Sequence, residues 1–136
     1  MPEQQSHPEV RNAVARLCAE YPNEYWREKD RDKAYPTEFV QALTDAGYLS
    51  VLIPEAYQGA GMDLAAACAV LEEIQRSGAN GAACHAQMYI MGTLLRHGSD
   101  AQKQKYLPDI ASGTLRLQAF GVTEPSSGTD TTRIKT

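Results

Sequence analysis

Apolar residues recur at helical spacing along most of this chain, and this periodicity constrains the fold more than any other feature. One apolar face carries Val10, Val14, Leu17, Cys18 and Tyr21, which fall on the same side of a helix. Similar faces follow one another up to residue 113, separated by glycine and proline breaks. The pattern predicts a mainly α fold in residues 1–113, with five or six antiparallel helices packed as a bundle.

Short polar residues predict where several of these helices begin. Ser99 with Gln102 three residues later has the spacing of a capping box, and Ser6 with Glu9 has the same spacing. Asp63 stands directly before another apolar helical pattern, where its side chain can accept a hydrogen bond from the first turn. We therefore expect a helix to begin after each of these positions.

The segment from about Asn80 to Arg96 is apolar nearly all round, which is typical of a helix in the middle of a bundle. His85 and Gln87 are its strongly polar interior positions, and we expect His85 to be a hydrogen-bonded core histidine rather than a ligand. No second histidine follows at helical spacing, and there is no Cys-x-x-Cys pair. The sequence therefore predicts no metal site.

Charge and cysteine content exclude several classes of protein. The formal net charge of −4 and a pI near 5.3 argue against a nucleic-acid partner, which would require a basic face. Cys18, Cys68 and Cys84 are odd in number and lie in helical patterns, so we expect buried free thiols in a reducing compartment. The first residues lack the features of a signal or transit peptide, and the longest charge-free run, 77–95, is too polar for a membrane span. A cytoplasmic protein is expected.

The adjacent Glu72 and Glu73 are expected on the solvent-exposed edge of their helix. They are weak candidates for paired catalytic acids, because neighbouring positions on a helix point in different directions.

The pattern changes after residue 113. Leu115, Leu117 and Ala119 alternate with other residues, as in a strand, and a turn follows at Glu124-Pro125. Six hydroxyl residues lie within 123–132, which suits a polyoxygenated ligand such as a flavin or pyrophosphate, although a plain surface turn has the same composition. Because one strand cannot satisfy its own backbone groups, we expect residues 114–136 to be the first strand and turn of a β-domain that stops short.

Three segments, in this order, resemble the acyl-CoA dehydrogenase family. They are GYL leading to IPEAYQGAGMD (47–63), HGSDAQKQKYLP followed by SG (97–113) and GVTEPSSGTD (121–130), the last being similar to the family's flavin-strand signature. Thr129 stands where many members have Ser, and Arg133 where a small residue is commoner. The family continues through further β and helical domains that contain its usual catalytic Glu, so the resemblance implies no catalytic residue in this chain.

The resemblance implies an FAD-dependent enzyme that oxidises an acyl-CoA to a trans-2-enoyl-CoA. An α-proton is removed while the β-hydride passes to flavin N5. The residues that the resemblance assigns to the cofactor are Phe120, Val122, Thr123, Gly128 and Thr129. The backbone N–H groups of Val122 and Thr123 would face the flavin ring, where negative charge develops.

The same resemblance assigns a second group of residues to the substrate. Thr129 would approach the CoA arm, and the helix near residues 80–96 would form a wall of the acyl pocket with His85, Met88, Tyr89 and Gly92. An electron-transfer flavoprotein is the implied electron acceptor, and the complete enzyme is expected to be a homo-oligomer, commonly a homotetramer.

Two other interpretations stay open at this point. A flavin oxidase or monooxygenase could use the same scaffold, and would differ in what reoxidises the flavin. A helical interaction module without catalysis could use the last strand as a docking edge. Under the first interpretation, we expect the 136 residues alone to be inactive and to bind FAD poorly, because the base and most of the sheet are absent.

Overall fold

The computed structural model describes residues 6–136 and is mainly α-helical. The helices are α1 Pro8–Ala19, α2 Asn23–Arg31, α3 Thr37–Asp45, α4 Leu64–Arg76, α5 Ala82–His97 and α6 Asp100–Ser112. Single 3-10 turns lie at Tyr48–Ser50, Glu55–Tyr57 and Thr131–Arg133. The prediction of a mainly α helical bundle is confirmed. None of the helices within residues 6–136 is long and apolar enough to cross a bilayer.

The helices pack around one apolar core. α1 lies against α4 and α3, while α5 lies against α6, α4 and the first 3-10 turn. These contacts remove the apolar face of each helix from water, which is the main favourable term in folding. The largest fully buried apolar side chains are Phe39, Leu43, Leu49, Ile53, Ile74, Met91, Leu107 and Ile110.

Two of the three predicted helix starts are confirmed by their caps. The Asp63 carboxylate accepts a hydrogen bond of 2.8 Å from the Ala66 N–H. At α6 the Gln102 N–H donates to Ser99 Oγ at 3.3 Å, and the Ser99 N–H donates to Gln102 Oε1 at 2.8 Å. Both ends of this capping box are therefore formed.

The capping box predicted at Ser6 is wrong. His7, not Ser6, is the residue before α1, and it has a left-handed backbone with φ of 54° and makes no cap bond to its own helix. Its Nε2 lies instead 2.9 Å from Asp63 Oδ1, which ties the start of α1 to the start of α4. Ser6 is one residue too early to cap, and its carbonyl accepts from Arg11 Nε at 2.8 Å.

The loop between α3 and α4 is packed, as its apolar residues and glycines predict. The Met62 N–H donates to the Val51 carbonyl and the Gly61 N–H to the Ile53 carbonyl, both at 2.8 Å. A Cβ atom at Gly59 would lie 2.0 Å from the Ile53 oxygen. Only glycine fits at that position, because a backbone atom cannot rotate away.

The strand predicted at Leu115–Ala119 does not form in the described residues. From residue 116 to 123 the backbone has no regular secondary structure, and one isolated antiparallel bridge joins Glu124 and Ser127. A strand needs a neighbour to accept its backbone hydrogen bonds, and residues 6–136 supply none to this segment. The division into an α-domain at 1–113 and the start of a β-domain at 114–136 stays a prediction.

Two expectations about burial are wrong. Glu73 is only 3% exposed, and its carboxylate lies 3.3 Å from Arg11 Nη1 and 2.7 Å from Arg76 Nη2. Cys68 is exposed, whereas Cys18 and Cys84 are buried. Both residues lie on α4. Which side of α4 faces inward depends on where α1 packs against it, and the spacing of apolar residues along α4 does not specify that position.

Candidate functional site

Residues 114–120 leave α6 and run back along the helical bundle. Gly113 makes the reversal with φ of +78°, and a Cβ atom there would lie 2.7 Å from Thr44 Cγ2. Arg116 then fixes the segment to α3, because its guanidinium donates to Thr44 Oγ1 at 3.0 Å and to Gln41 Oε1 at 3.1 Å. Leu115 also packs against the apolar core. The start of the segment is therefore held by both polar and apolar contacts.

A second attachment passes through two glutamine side chains. The Gln87 side chain is fully buried in α5, and its Nε2 donates to the Leu49 carbonyl at 3.1 Å. Gln118 Nε2 donates to Gln87 Oε1 at 3.4 Å. The Tyr35 hydroxyl donates to Gln118 Oε1 at 2.8 Å. We call these four groups the glutamine relay.

Beyond the relay, the segment contacts the outer face of α5 through an aromatic row. The Phe120 ring meets Tyr89 edge to face, with ring centroids 5.2 Å apart. Tyr89 in turn meets His85 with centroids 5.4 Å apart. Phe120 is 65% exposed despite its size, so much of the ring is available for contact with another group.

The four α5 residues predicted to line the substrate pocket divide into two groups. His85 is exposed and Tyr89 half-buried on the outer face, and at Gly92 a Cβ atom would meet nothing within 4 Å. Met88, in contrast, is 4% exposed and belongs to the core. The expectation that His85 is a core histidine is wrong, because Gln87 takes the buried polar position. His85, Tyr89 and Gly92 thus share an open strip of helix surface.

The hydroxyl-rich turn after Phe120 is held by the Glu124 carboxylate and the Asp130 backbone carbonyl. Glu124 accepts from the Lys135 and Thr136 N–H groups at 3.0 Å each and from the Thr136 hydroxyl, and these bonds lower the pKa of Glu124 below its ordinary value. The Ser127 hydroxyl donates to the Asp130 carbonyl. Every bond here closes the turn on itself, so Glu124 is a structural carboxylate.

The residues predicted to bind the cofactor lie around this turn. Val122 is half-buried, and Phe120, Thr123, Gly128 and Thr129 are exposed. At Gly128 a Cβ atom would make only an ordinary 3.7 Å contact with Thr123 Cγ2, so the fold itself does not require glycine. An open pocket of about 460 Å³ is lined by Gly121, Val122, Thr123, Glu124, Ile134 and Thr136.

Backbone donors are available at the same place. Within residues 6–136, no group accepts a hydrogen bond from the backbone N–H groups of residues 120–123, while the next N–H, at Glu124, is bonded to Ser127. Residues 120, 121 and 123 are exposed and Val122 is half-buried. Their backbone N–H groups can therefore donate to water or to acceptor atoms of a ligand beside the Phe120 ring.

Several residues at this site are not assigned a role by the sequence analysis. Arg116 and Gln118 fix the segment, and Gly121, Ile134 and Thr136 line the pocket. The signal available in the sequence was the alternation of Arg116 and Gln118 with apolar residues in a run interpreted as a strand. Within the part of the chain that the structure describes, no group of three potential metal ligands comes together.

Comparison with known proteins identifies the class to which this fold belongs. The family described as "Acyl-CoA dehydrogenase, N-terminal domain" matches residues 4–114, which is most of the helical bundle. The chain therefore belongs to the acyl-CoA dehydrogenase family, whose N-terminal helical domain it contains.

Curated relatives agree with this assignment. Acyl-CoA dehydrogenase FadE12 of Mycobacterium tuberculosis is 33% identical over 135 residues, covering 98% of this chain and 34% of the relative. Glutaryl-CoA dehydrogenase of Desulfococcus multivorans is 36% identical over 128 residues, covering 90% and 31%. The 3-(aryl)acrylate reductase of Clostridium sporogenes is 36% identical over 111 residues, covering 80% and 29%. The chain thus spans about one third of the length of the relatives it matches.

Solved structures match over the same extent. A chain from the structural study of the electron transferring flavoprotein of Acidaminococcus fermentans and flavin-based electron bifurcation superposes with a TM-score of 0.77 and 26% identity, covering 98% of this chain and 35% of that one. The prolyl acyl carrier protein oxidase AnaB superposes with a TM-score of 0.74 at 22% identity, covering 94% and 35%. The second match concerns the fold alone.

Proposed function

We propose that this chain supplies the helical wall and the flavin-facing segment of an FAD-dependent oxidoreductase that oxidises an acyl-CoA to a trans-2-enoyl-CoA. The family assignment supports the reaction class. The observation that carries the site is the run of backbone donors at 120–123 beside the exposed ring of Phe120 and the open strip of α5.

The residues present fit a flavin. The N–H groups of Val122 and Thr123 and the Thr123 hydroxyl can donate to the ring's carbonyl edge, and Phe120 can pack on its apolar part. A bound flavin would supply the hydride acceptor, and Val122 and Thr123 would hold donors where negative charge develops on its ring. Donors that are already in place stabilise that charge without reorganising, a contribution of about 3 kcal/mol for one well-placed donor in other enzymes. Gly128 and Thr129 are proposed to approach phosphates or the CoA arm, since Gly128 leaves space that the fold does not use.

The open strip of α5 is proposed to bind the acyl chain. Tyr89 presents an apolar ring, Gly92 leaves a gap on the same face, and His85 lies at one end. Bulky and empty positions on one helix face set the length and branching of the chain that can be accommodated. Met88 is proposed to support this strip from the core side, since its side chain is buried there.

Glu124 is not proposed as the base that removes the α-proton. Glu124 is the carboxylate in the pocket, and hydrogen bonds from three donors hold its pKa low. A general base needs a free lone pair and a pKa near the working pH. We therefore propose that the base lies outside these 136 residues, and that the 136 residues alone are inactive and bind FAD poorly.

Three further properties are proposed from the family alone. An electron-transfer flavoprotein takes up the electrons, the complete enzyme is a homo-oligomer, and the protein works in the cytoplasm. The direction of the net reaction is open to a second candidate, because one relative is named as a reductase of arylacrylates. A reductase would use the same flavin contacts with electrons entering rather than leaving.

The proposal is tested on protein expressed from the native reading frame, including whatever follows Thr136. We expect a yellow protein whose extracted cofactor is FAD, and acyl-CoA oxidation that is coupled to an electron-transfer flavoprotein. Turnover with oxygen but not with the flavoprotein would favour an oxidase. A colourless protein that binds another protein through the 114–136 segment would contradict the proposal and favour an interaction module.

A further inference from the structure

We propose that Gln118 and Gln87 are positioning residues, and that the glutamine relay sets where the Phe120 ring lies against the outer face of α5 and where residues 121–123 start from. This inference rests on the proposed function, in which residues 120–123 face the flavin and α5 faces the acyl chain. The relay would therefore fix the distance between the two halves of the site. Neither side chain is proposed to touch cofactor or substrate.

The orientation of both amides follows from one backbone carbonyl. The Leu49 carbonyl can only accept, so Gln87 must present its Nε2 to it, and Gln87 Oε1 then faces Gln118. Gln118 must in turn present its Nε2, which leaves its Oε1 for the Tyr35 hydroxyl. Gln87 cannot rotate its amide without placing two acceptors or two donors together in the core. Each of the two side-chain amides therefore has a single orientation in the relay.

The bond between Gln118 and Gln87 is the attachment that lies nearest to the proposed flavin contacts. Arg116 is bonded to α3 and Gln118 to α5, whereas Ala119 and Phe120 are already exposed. Past the relay, Phe120 contacts α5 through the Tyr89 ring, and Gly121 has no neighbour within 4 Å of a Cβ atom. The last firm attachment before the proposed flavin contacts is thus the Gln118 amide.

Replacement of Gln118 by Leu keeps the size of the side chain and removes both hydrogen bonds. We expect the helical circular dichroism to be retained, because Gln118 lies outside every helix. The segment beyond it should lose order, with NMR order parameters at residues 119–123 falling from about 0.8 to below about 0.6. The nuclear Overhauser contacts between the Phe120 and Tyr89 rings should weaken or disappear. Gln104→Leu, an exposed glutamine of α6, is the matched control and should leave both measurements unchanged.

Replacement of Gln118 by Glu separates a directional relay from simple packing. A neutral Glu side chain can donate to Gln87 Oε1 and accept from Tyr35, whereas its carboxylate cannot donate. Because the neutral form is the one that bonds in the folded state, order should be present at low pH and lost as the pH rises. The groups facing this side chain are Gln87 from α5, the Tyr35 hydroxyl and, in the same groove, Lys33, whose charge favours the carboxylate and moves the transition to lower pH.

The experiment is NMR on the 136-residue chain with no cofactor added. The inference is supported if Gln118→Leu loses the Phe120–Tyr89 contact while Gln118→Glu loses it at about pH 7 and regains it on titration to about pH 3, below the ordinary pKa of a Glu side chain. It is overturned if Gln118→Leu keeps the contact, or if Gln118→Glu behaves alike across the titration. Since no flavin is present, this result is independent of the proposed function, which fails separately if the protein from the native reading frame binds no flavin.

Discussion

Gly92 lies in the interior of α5, where the helix itself does not need a glycine. A Cβ atom there would meet nothing within 4 Å, and glycine in a helix interior costs about 0.5–1 kcal/mol relative to alanine. Gly92→Ala should therefore raise the free energy of unfolding by about 0.5–1 kcal/mol, which is a rise in melting temperature of about 2–6 °C. Urea denaturation followed by circular dichroism measures the first quantity, and a thermal melt the second.

The same substitution should impair the proposed acyl site. In the flavin-loaded protein the added methyl group projects from the strip that carries Tyr89, so turnover of long acyl-CoAs should fall more than turnover of short ones. A tenfold difference between the two corresponds to about 1.4 kcal/mol. A gain in stability with a loss of function would show that the glycine is retained for the ligand.

Gly113→Ala is the matched control, in which the same Gly-to-Ala change is expected to lower the stability rather than raise it. Gly113 has φ of +78°, and its new Cβ would lie 2.7 Å from Thr44 Cγ2, so we expect a loss of at least about 1–2 kcal/mol. Destabilisation by Gly92→Ala would contradict this prediction, because the outer face of α5 would then be packed rather than open. The prediction is also refuted if the two variants change stability in the same direction.

Three further predictions concern single side chains. Cys68 should react with a thiol reagent in the native protein, while Cys18 and Cys84 should react only after unfolding. Burial protects both of these thiols and raises the pKa of Cys84 to about 12. Rapid reaction of all three thiols in native buffer would contradict this. The pKa of Glu38 is lowered to about 2, chiefly by its bond to Lys29 of α2. Its contribution to stability is therefore present above about pH 4.5 and is lost as the pH falls toward about 2. When urea midpoints are measured over a pH series, Glu38→Gln should make them change less across this range. Tyr89→Ala should broaden the range of acyl chains accepted by the flavin-loaded protein, and an unchanged preference would remove this residue from the acyl wall.

The sequence was a good guide to local structure. Asp63 and Ser99 cap helices as their spacing predicts, because a cap depends on residues within one turn. Ser6 shows the limit of that reasoning, since the neighbouring His7 bonds to Asp63 from 56 positions along the chain. The same limit applies to Glu73, which is buried because Arg11 of another helix pairs with it.

The candidate site was predictable in part. The turn at 121–130 carries its own signature in the sequence, whereas its attachment to the bundle depends on Gln118 meeting Gln87, two residues 31 positions apart. Periodicity identified α5 as an inner helix and placed both His85 and Gln87 in its interior, whereas in the structure Gln87 is buried and His85 is exposed. The interior side of an almost uniformly apolar helix is set by its neighbours, and no spacing rule supplies that information.

We propose that residues 120–123 face a flavin which an acyl-CoA reduces. The most direct test mixes acyl-CoA, without oxygen, with protein expressed from the native reading frame and follows the visible absorption of the flavin. We predict that the absorption bleaches with acyl-CoA and that Thr123→Val slows the bleaching by about a hundredfold, as expected for loss of one donor at the ring. A flavin that acyl-CoA does not bleach, or a Thr123→Val variant as fast as the wild type, would contradict this proposal.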